Sequence, residues 1–276
     1  MTAANYTDGG AAGTGSFRRD TGWTGYIPAV SLTASAGSCS FSQTGDTITL
    51  LGDCTTDQTI LVPDGKTLDG NDHNITAIDP TGGHFLGAVV ENAGVTASVI
   101  NLTVTADLAT ACDAFPASLA GIRLDNATGS ITNNTVTGLQ QGTSGDGCQE
   151  GNAIEVRNTA GTGTPQVTVT GNTVSDYQKT GVLVKGQVSA VVTGNEITGY
   201  GPVSFIGQNG IQVSFGATAL VQSNTISNNF YEPESVTACG LIIYQADGVK
   251  LGKNAFSGNE KNLCNISRGG GAFSGL

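Results

Sequence analysis

Gly121-Ile122-Arg123-Leu124 returns as Ala153-Ile154-Glu155-Val156, Gly181-Val182-Leu183-Val184, Gly210-Ile211-Gln212-Val213 and Gly240-Leu241-Ile242-Ile243. The apolar residues Ile122, Ile154, Val182, Ile211 and Leu241 follow one another at 32, 28, 29 and 30 residues. A second strand recurs between them: Asn134-Thr-Val, Asn172-Thr-Val, Asn195-Glu-Ile, Asn224-Thr-Ile and Asn254-Ala-Phe, with Asn101-Leu-Thr-Val as a looser member. Both alternate with the period of two that marks a half-buried strand. No ten-residue stretch has helical spacing free of Gly and β-branched runs, so no helix is available for crossover. The coils must then stack directly, each strand about 4.8 Å from its copy. The fold class is all-β, a solenoid with at least two short strands per coil. Asn at a fixed turn position is expected to take a left-handed backbone and bond to the next Asn in the stack.

These repeats resemble those of the pectate-lyase-like superfamily, over roughly Thr47 to Ser267. The stretch Thr59-Ile-Leu-Val-Pro-Asp-Gly-Lys-Thr-Leu-Asp-Gly-Asn-Asp-His-Asn-Ile-Thr resembles its opening coils. The resemblance implies a right-handed parallel β-helix over 46–267, with a cap at 1–45 and a loosely held tail at 268–276. Phe17, Trp23, Tyr26 and Ile27 are expected to cover the first coil. It also implies a carbohydrate-active protein, a polysaccharide lyase or hydrolase working in a groove along the solenoid. The chain departs from the enzyme families of that superfamily. It lacks the His-bearing strand of typical pectate lyases and the Asn-Thr-Asp, Asp-Asp, Gly-His-Gly and Arg-Ile-Lys set of polygalacturonases. It also lacks the Asp-Pro-His of alginate epimerases. No catalytic residue carries over, and a non-catalytic glycan-binding, adhesive or surface-structural solenoid stands beside the enzyme.

Composition narrows the partners. Of 276 residues only 12% are charged, 41 are Gly, and the net charge is -11 with 11 Lys+Arg. That balance argues against nucleic acid and anionic membranes, which need a basic face. No apolar run approaches the length of a membrane span, so no membrane insertion is expected. Six cysteines point to an oxidising, extracellular setting. Cys239 and Cys264 lie two residues before Leu241 and Ile266, which would stack one coil apart, and Cys112 and Cys148 precede the same strand one coil apart; Cys39 and Cys54 flank the strand-like run Thr47 to Leu51. The expected pairs are Cys39–Cys54, Cys112–Cys148 and Cys239–Cys264. Met1 to Gly15 is polar and Gly/Ala-rich, unlike a signal peptide, and an export leader is expected to have been removed.

The longest inter-strand segments, near 106–119, 140–150, 200–208 and 229–238, all precede the Gly-Ile strand. Stacked on one side, they should wall a groove over its outer face. Two outward rows line that face: Arg123, Glu155, Leu183, Gln212, Ile242 and Asp125, Arg157, Lys185, Ser214, Tyr244. Glu155 is the candidate base or acid. Arg157 and Lys185 would hold a sugar carboxylate and stabilise an enolate in β-elimination of a uronic acid polymer. Arg123, Asp125, Gln212 and Tyr244 are candidate substrate contacts. Asp113, Asp146 and Glu150 on the wall are a candidate Ca²⁺ set. The same rows also read as cross-strand ion pairs, Arg123 on Glu155 and Asp125 on Arg157. His73 and His84 read as turn histidines, and the outward Thr column as ordinary strand chemistry.

Overall fold

The computed structural model describes residues 38–109, 113, 116–140, 147–233 and 235–266. Among them there is no helix, and the strands form three sheets of nine, eight and eight strands. Phe41–Thr44 lies antiparallel on Thr47–Leu50; every other pairing is parallel. Each coil visits the three sheets in turn, so strands pair only with their own copies one coil away. The Gly-Ile strands form one sheet, the Asn strands a second, and a third set that includes Thr128–Thr132 and Gln166–Thr170 closes the section. The expected inward column is in register: Ile122, Ile154, Val182, Ile211 and Leu241 lie side by side and are fully buried. Val136, Val174, Ile197 and Ile226 do the same for the Asn sheet. Val and Ile suit these columns because β-branched side chains pack closely against their copies one strand away.

The Asn column is a continuous amide ladder. The side-chain N of Asn134 donates to Asn172 Oδ1 (3.0 Å), Asn172 to Asn195 (2.9 Å), Asn195 to Asn224 (2.9 Å) and Asn224 to Asn254 (3.0 Å). The backbone N–H of each rung donates to the same oxygen. Each amide also donates to a buried carbonyl of a neighbouring coil, such as Ile131 O from Asn172. The left-handed residue is not the ladder Asn but the one before it: Asn133, Gly171, Gly194 and Ser223 have φ of 56°, 66°, 66° and 57°. Asn101 belongs to this preceding position, at φ 51°, and Leu102 occupies the rung, its N–H donating to Asn134 Oδ1. The division is physical: one residue reverses the chain while the next uses its side chain to satisfy backbone groups the turn leaves buried. The outward hydroxyl column bonds within itself, as in Thr76–Thr105 and Thr137–Ser175, at 2.9 and 2.8 Å.

The Gly-Ile strand carries a kink that spacing alone does not reveal. A Cβ on Gly121 would lie 2.6 Å from Val136 Cγ1, so Gly121 points inward, as does Ile122 after it. Two successive inward positions put the preceding residue on the outer face, beside the residue three further on. Asn209 accordingly bonds Gln212 through their side chains at 3.4 Å. This explains the last disulfide. Cys264 pairs in register with Ile242, and Leu263, not Ile266, stacks on Leu241. The kink brings Cys239 and Ile242 together, so the Cys239–Cys264 bridge closes over a Cα separation of 6.0 Å. Ile266, expected inside, stacks on Tyr244 and is 55% exposed. Cys39–Cys54 forms as expected. Cys148 is disulfide-bonded, and Cys112, its expected partner, lies outside the described residues.

Candidate functional site

Both outward rows of the Gly-Ile sheet are in the expected register, Arg123–Glu155–Leu183–Gln212–Ile242 and Asp125–Arg157–Lys185–Ser214–Tyr244. Their two halves differ sharply in environment. The half nearer the N-terminus is an ionic network. Arg123 Nε donates to Glu155 Oε2 (2.9 Å), and its Nη1 lies 3.4 Å from Glu91. Arg157 Nε donates to Asp125 Oδ2 (3.0 Å), and its Nη1 lies 3.5 Å from Glu155 Oε1. Asp125 further accepts from the Thr159 hydroxyl and N–H. An open groove floor was expected here. Instead the chain before Ala120 covers it: Pro116 O accepts from Arg157 and Ser118 O from Arg123. Arg123, Glu155 and Arg157 are left 1%, 2% and 4% exposed. Burial pushes the Glu91 carboxyl above its ordinary range, against the pull of Arg123 and Arg157.

The expected wall of loops is only partly irregular. Residues 200–203 and 229–231 extend the Asn-sheet strands Glu196–Val203 and Thr225–Tyr231, with a register shift between Thr198 and Gly201. Asp113 and Glu150 do meet, but through the backbone: Glu150 accepts from the N–H groups of Asp113 (2.9 Å) and Leu119 (2.8 Å). Asp146 lies outside the described residues. Among the described residues no three His, Cys, Asp or Glu side chains converge as a metal site. Gln208 reaches back to Tyr177 O (2.6 Å) and Gln178 to Cys148 O (3.0 Å), so these wall amides are also structural.

His84 is not an isolated turn histidine. Its Nε2 lies 2.8 Å from Asp113 Oδ1, joining loops 29 residues apart. The hydrogen bond to Asp113 raises its pKa, and the charges of Asp113, Asp79 and Glu150 add to this against partial desolvation. The sign follows from linkage. A histidine whose folded pKa is raised contributes stability fully below its unfolded value, about 6.5, and loses it as pH rises through the folded pKa. His84→Gln should therefore lower the melting temperature at pH 5.5 and have little effect at pH 9. The side chain is well exposed, so the difference should stay below about 1 kcal/mol. Melting curves across that range check it; equal losses at both pH values would refute it.

The half nearer the C-terminus is of different chemistry and only partly open: Leu183 and Ser214 are buried, and Lys185, Gln212, Ile242 and Tyr244 are half-buried. Leu183, Lys185, Gln212, Ser214, Ile242 and Tyr244 form it, and Gln212 Nε2 donates to Ser214 Oγ (3.3 Å). The turn that follows the strand adds Phe215, which no repeat pattern singled out. Its ring meets Tyr244 edge-on, centroids 5.2 Å apart, and Lys185 Nζ lies 5.6 Å from its centroid. Phe215 is 47% exposed and has φ of 55°. At this turn position the other coils with positive φ carry Asn126, Gly186 and Gln245; Gly and Asn suit that region best, and Phe215, like Gln245, takes it at a cost. Phe215 is the one aromatic ring at this position, half-exposed in a disfavoured backbone region.

Residues 120–273, more than half of the chain, match the family described as right-handed β-helix region. No curated protein matches the sequence. Among solved structures the chain is similar to the Dettilon tailspike protein (gp208), at 13% identity and a TM-score of 0.33, over 76% of this chain. It spans about half the length of that protein, 52%.

Proposed function

The chain belongs to the right-handed β-helix family, and on that premise we propose that it is a secreted glycan-binding solenoid. The ligand lies along the C-terminal half of the Gly-Ile sheet, on the exposed Phe215 ring and the half-buried Tyr244, Gln212 and Lys185. The observation that carries this reading is Phe215, strained, half-exposed and packed edge-on against Tyr244. Aromatic faces take up the C–H faces of sugar rings, while neighbouring amides and hydroxyls bond ring substituents. The disulfides agree with an oxidising compartment, and a net charge of -11 agrees with a partner other than nucleic acid.

Binding is favoured over catalysis by the state of Glu155. A general base must reach its proton directly or through one water. Glu155 is instead held between two arginines beneath Pro116 and Ser118. Arg123, Asp125 and Arg157 belong to the same network and serve to stiffen the floor rather than to touch substrate.

Phe215→Gly separates binding from folding. It removes the ring and suits the positive φ, so stability should hold or rise by up to about 1 kcal/mol. Affinity for the glycan should fall by about tenfold or more. Affinity electrophoresis on plant, algal and bacterial polysaccharides, with melting curves alongside, measures both; unchanged retardation of the variant would remove Phe215 from the site. The lyase or hydrolase reading returns if the same polymers yield unsaturated products or new reducing ends, and Glu155→Gln abolishes them while leaving the melting curve intact.

A further inference from the structure

We infer that the last coil of the solenoid is a docking site for the chain's own segment 270–273, with the Phe273 ring seated against the ends of the inner columns. At that coil Val221 stacks on Leu251, Ile226 on Phe256 and Leu241 on Leu263. The first member of each pair is fully buried, and the second is only half-buried. Leu241, Leu251, Phe256 and Leu263 together line an apolar cavity of about 400 Å³. The same coil ends the three sheets. Among the described residues Gly248–Leu251, Ala255–Ser257 and Lys261–Ile266 are each the terminal strand of their sheet. An apolar stack end and open strand edges are the two liabilities that a solenoid has to cover.

Register names the occupant. Cys239–Tyr244 pairs with Lys261–Ile266 so that Tyr244 faces Ile266. Three residues then separate Tyr244 from the strand Gly248–Leu251, whose Leu251 lines the cavity. Carried on at the same interval, three residues after Ile266 lead to Gly270-Gly271-Ala272-Phe273. This stretch falls on Gly248-Val249-Lys250-Leu251, with Ala272 in the outward place of Lys250 and Phe273 over Leu251. The match to the β-helix family runs to residue 273, so the repeat pattern continues through this segment. Its composition fits the task. Phe273 is the one large apolar residue between Ser267 and Gly275, and the glycines before it let a backbone approach a strand edge closely. Parallel pairing would satisfy the open edge of Gly248–Leu251, while the ring removes apolar surface of Leu251, Phe256 and Leu263 from water. The loosely held tail expected at 268–276 is on this reading a final strand and plug.

The test uses the full chain. Trp23 is its single tryptophan, so Trp23→Phe with Phe273→Trp places one fluorescent reporter at position 273. In the native protein the reporter should emit at shorter wavelength than in the unfolded chain and be shielded from acrylamide. Adding Leu251→Asp to the cavity wall should abolish both effects. Phe273→Ser, which alters no residue of the last coil itself, reads the same contact without risk to the fold. It should lower the melting temperature by about 4–8 °C, with no change for the neighbouring Ser274→Ala. A native reporter quenched as freely as in urea, or one still shielded in Leu251→Asp, overturns the docking. So does a Phe273→Ser variant that melts with the parent. An end-to-end dimer in sedimentation that persists when residues 268–276 are deleted also overturns it, because a second copy of the chain then fills the cavity.

Discussion

Asn172→Ala is expected to destabilise the protein by about 3–5 kcal/mol. Asn172 is 1% exposed. Removing its side chain strips Asn134 of the acceptor for both its N–H and its Nδ2, and takes the donor from Ile131 O. Buried polar groups left without partners cost about 1–3 kcal/mol each. The terminal rung offers the control. Asn254 is only half-buried, and its loss leaves Asn224 closer to solvent, so Asn254→Ala should cost less than half as much. Denaturant titrations of both variants measure the difference; equal losses would mean that the ladder acts no differently at its middle than at its end.

Arg123→Leu is expected to cost a similar amount, about 3–5 kcal/mol, because it leaves Glu155 with a single cation and Glu91 with none at contact distance. The double variant Arg123→Leu/Glu155→Leu should recover the part of that loss owed to Glu155, since replacing a buried pair by apolar groups is often close to neutral, while the part owed to Glu91 remains. The cycle distinguishes two roles for the network. Recovery of stability together with unchanged glycan affinity would assign it to stiffening the floor. Recovery of stability with lost affinity would bring Glu155 or Arg123 back into the site.

The period of about thirty residues was sufficient to place Ile154 beside Val182 and Arg123 beside Glu155, because side-chain direction alternates strictly along a strand. The same regularity pointed to Cys239–Cys264, although Cys264 stacks on Ile242 and not directly on Cys239, while Cys39–Cys54 was legible from its place on either side of a short strand. What it could not convey was depth. Glu155 alternates outward like any surface residue, and only the return of Pro116 and Ser118 over it, a feature of loops, makes it buried. The kink at Gly121 and its copies was hidden for a related reason. A glycine has no side chain to count in a hydrophobic pattern, so two inward positions in succession look like one. His84 and Asp113 meet across loops of unrelated sequence, where no period operates. Phe215 was detectable in principle, as the one aromatic at a turn position otherwise given to Asn, Gly or Gln, but its significance lies in the sign of φ.

Rungs of the amide ladder are separated along the chain by 38, 23, 29 and 30 residues, yet every one closes at 2.9–3.0 Å. Excursions between them are therefore free to lengthen, shorten or change composition without disturbing the shaft. Because every amide donates in one direction and accepts from the other, a whole coil can be inserted or deleted and the series rejoins itself. Molecules of this build should diversify by altering how many coils they contain and what their loops display, while the cross-section stays constant.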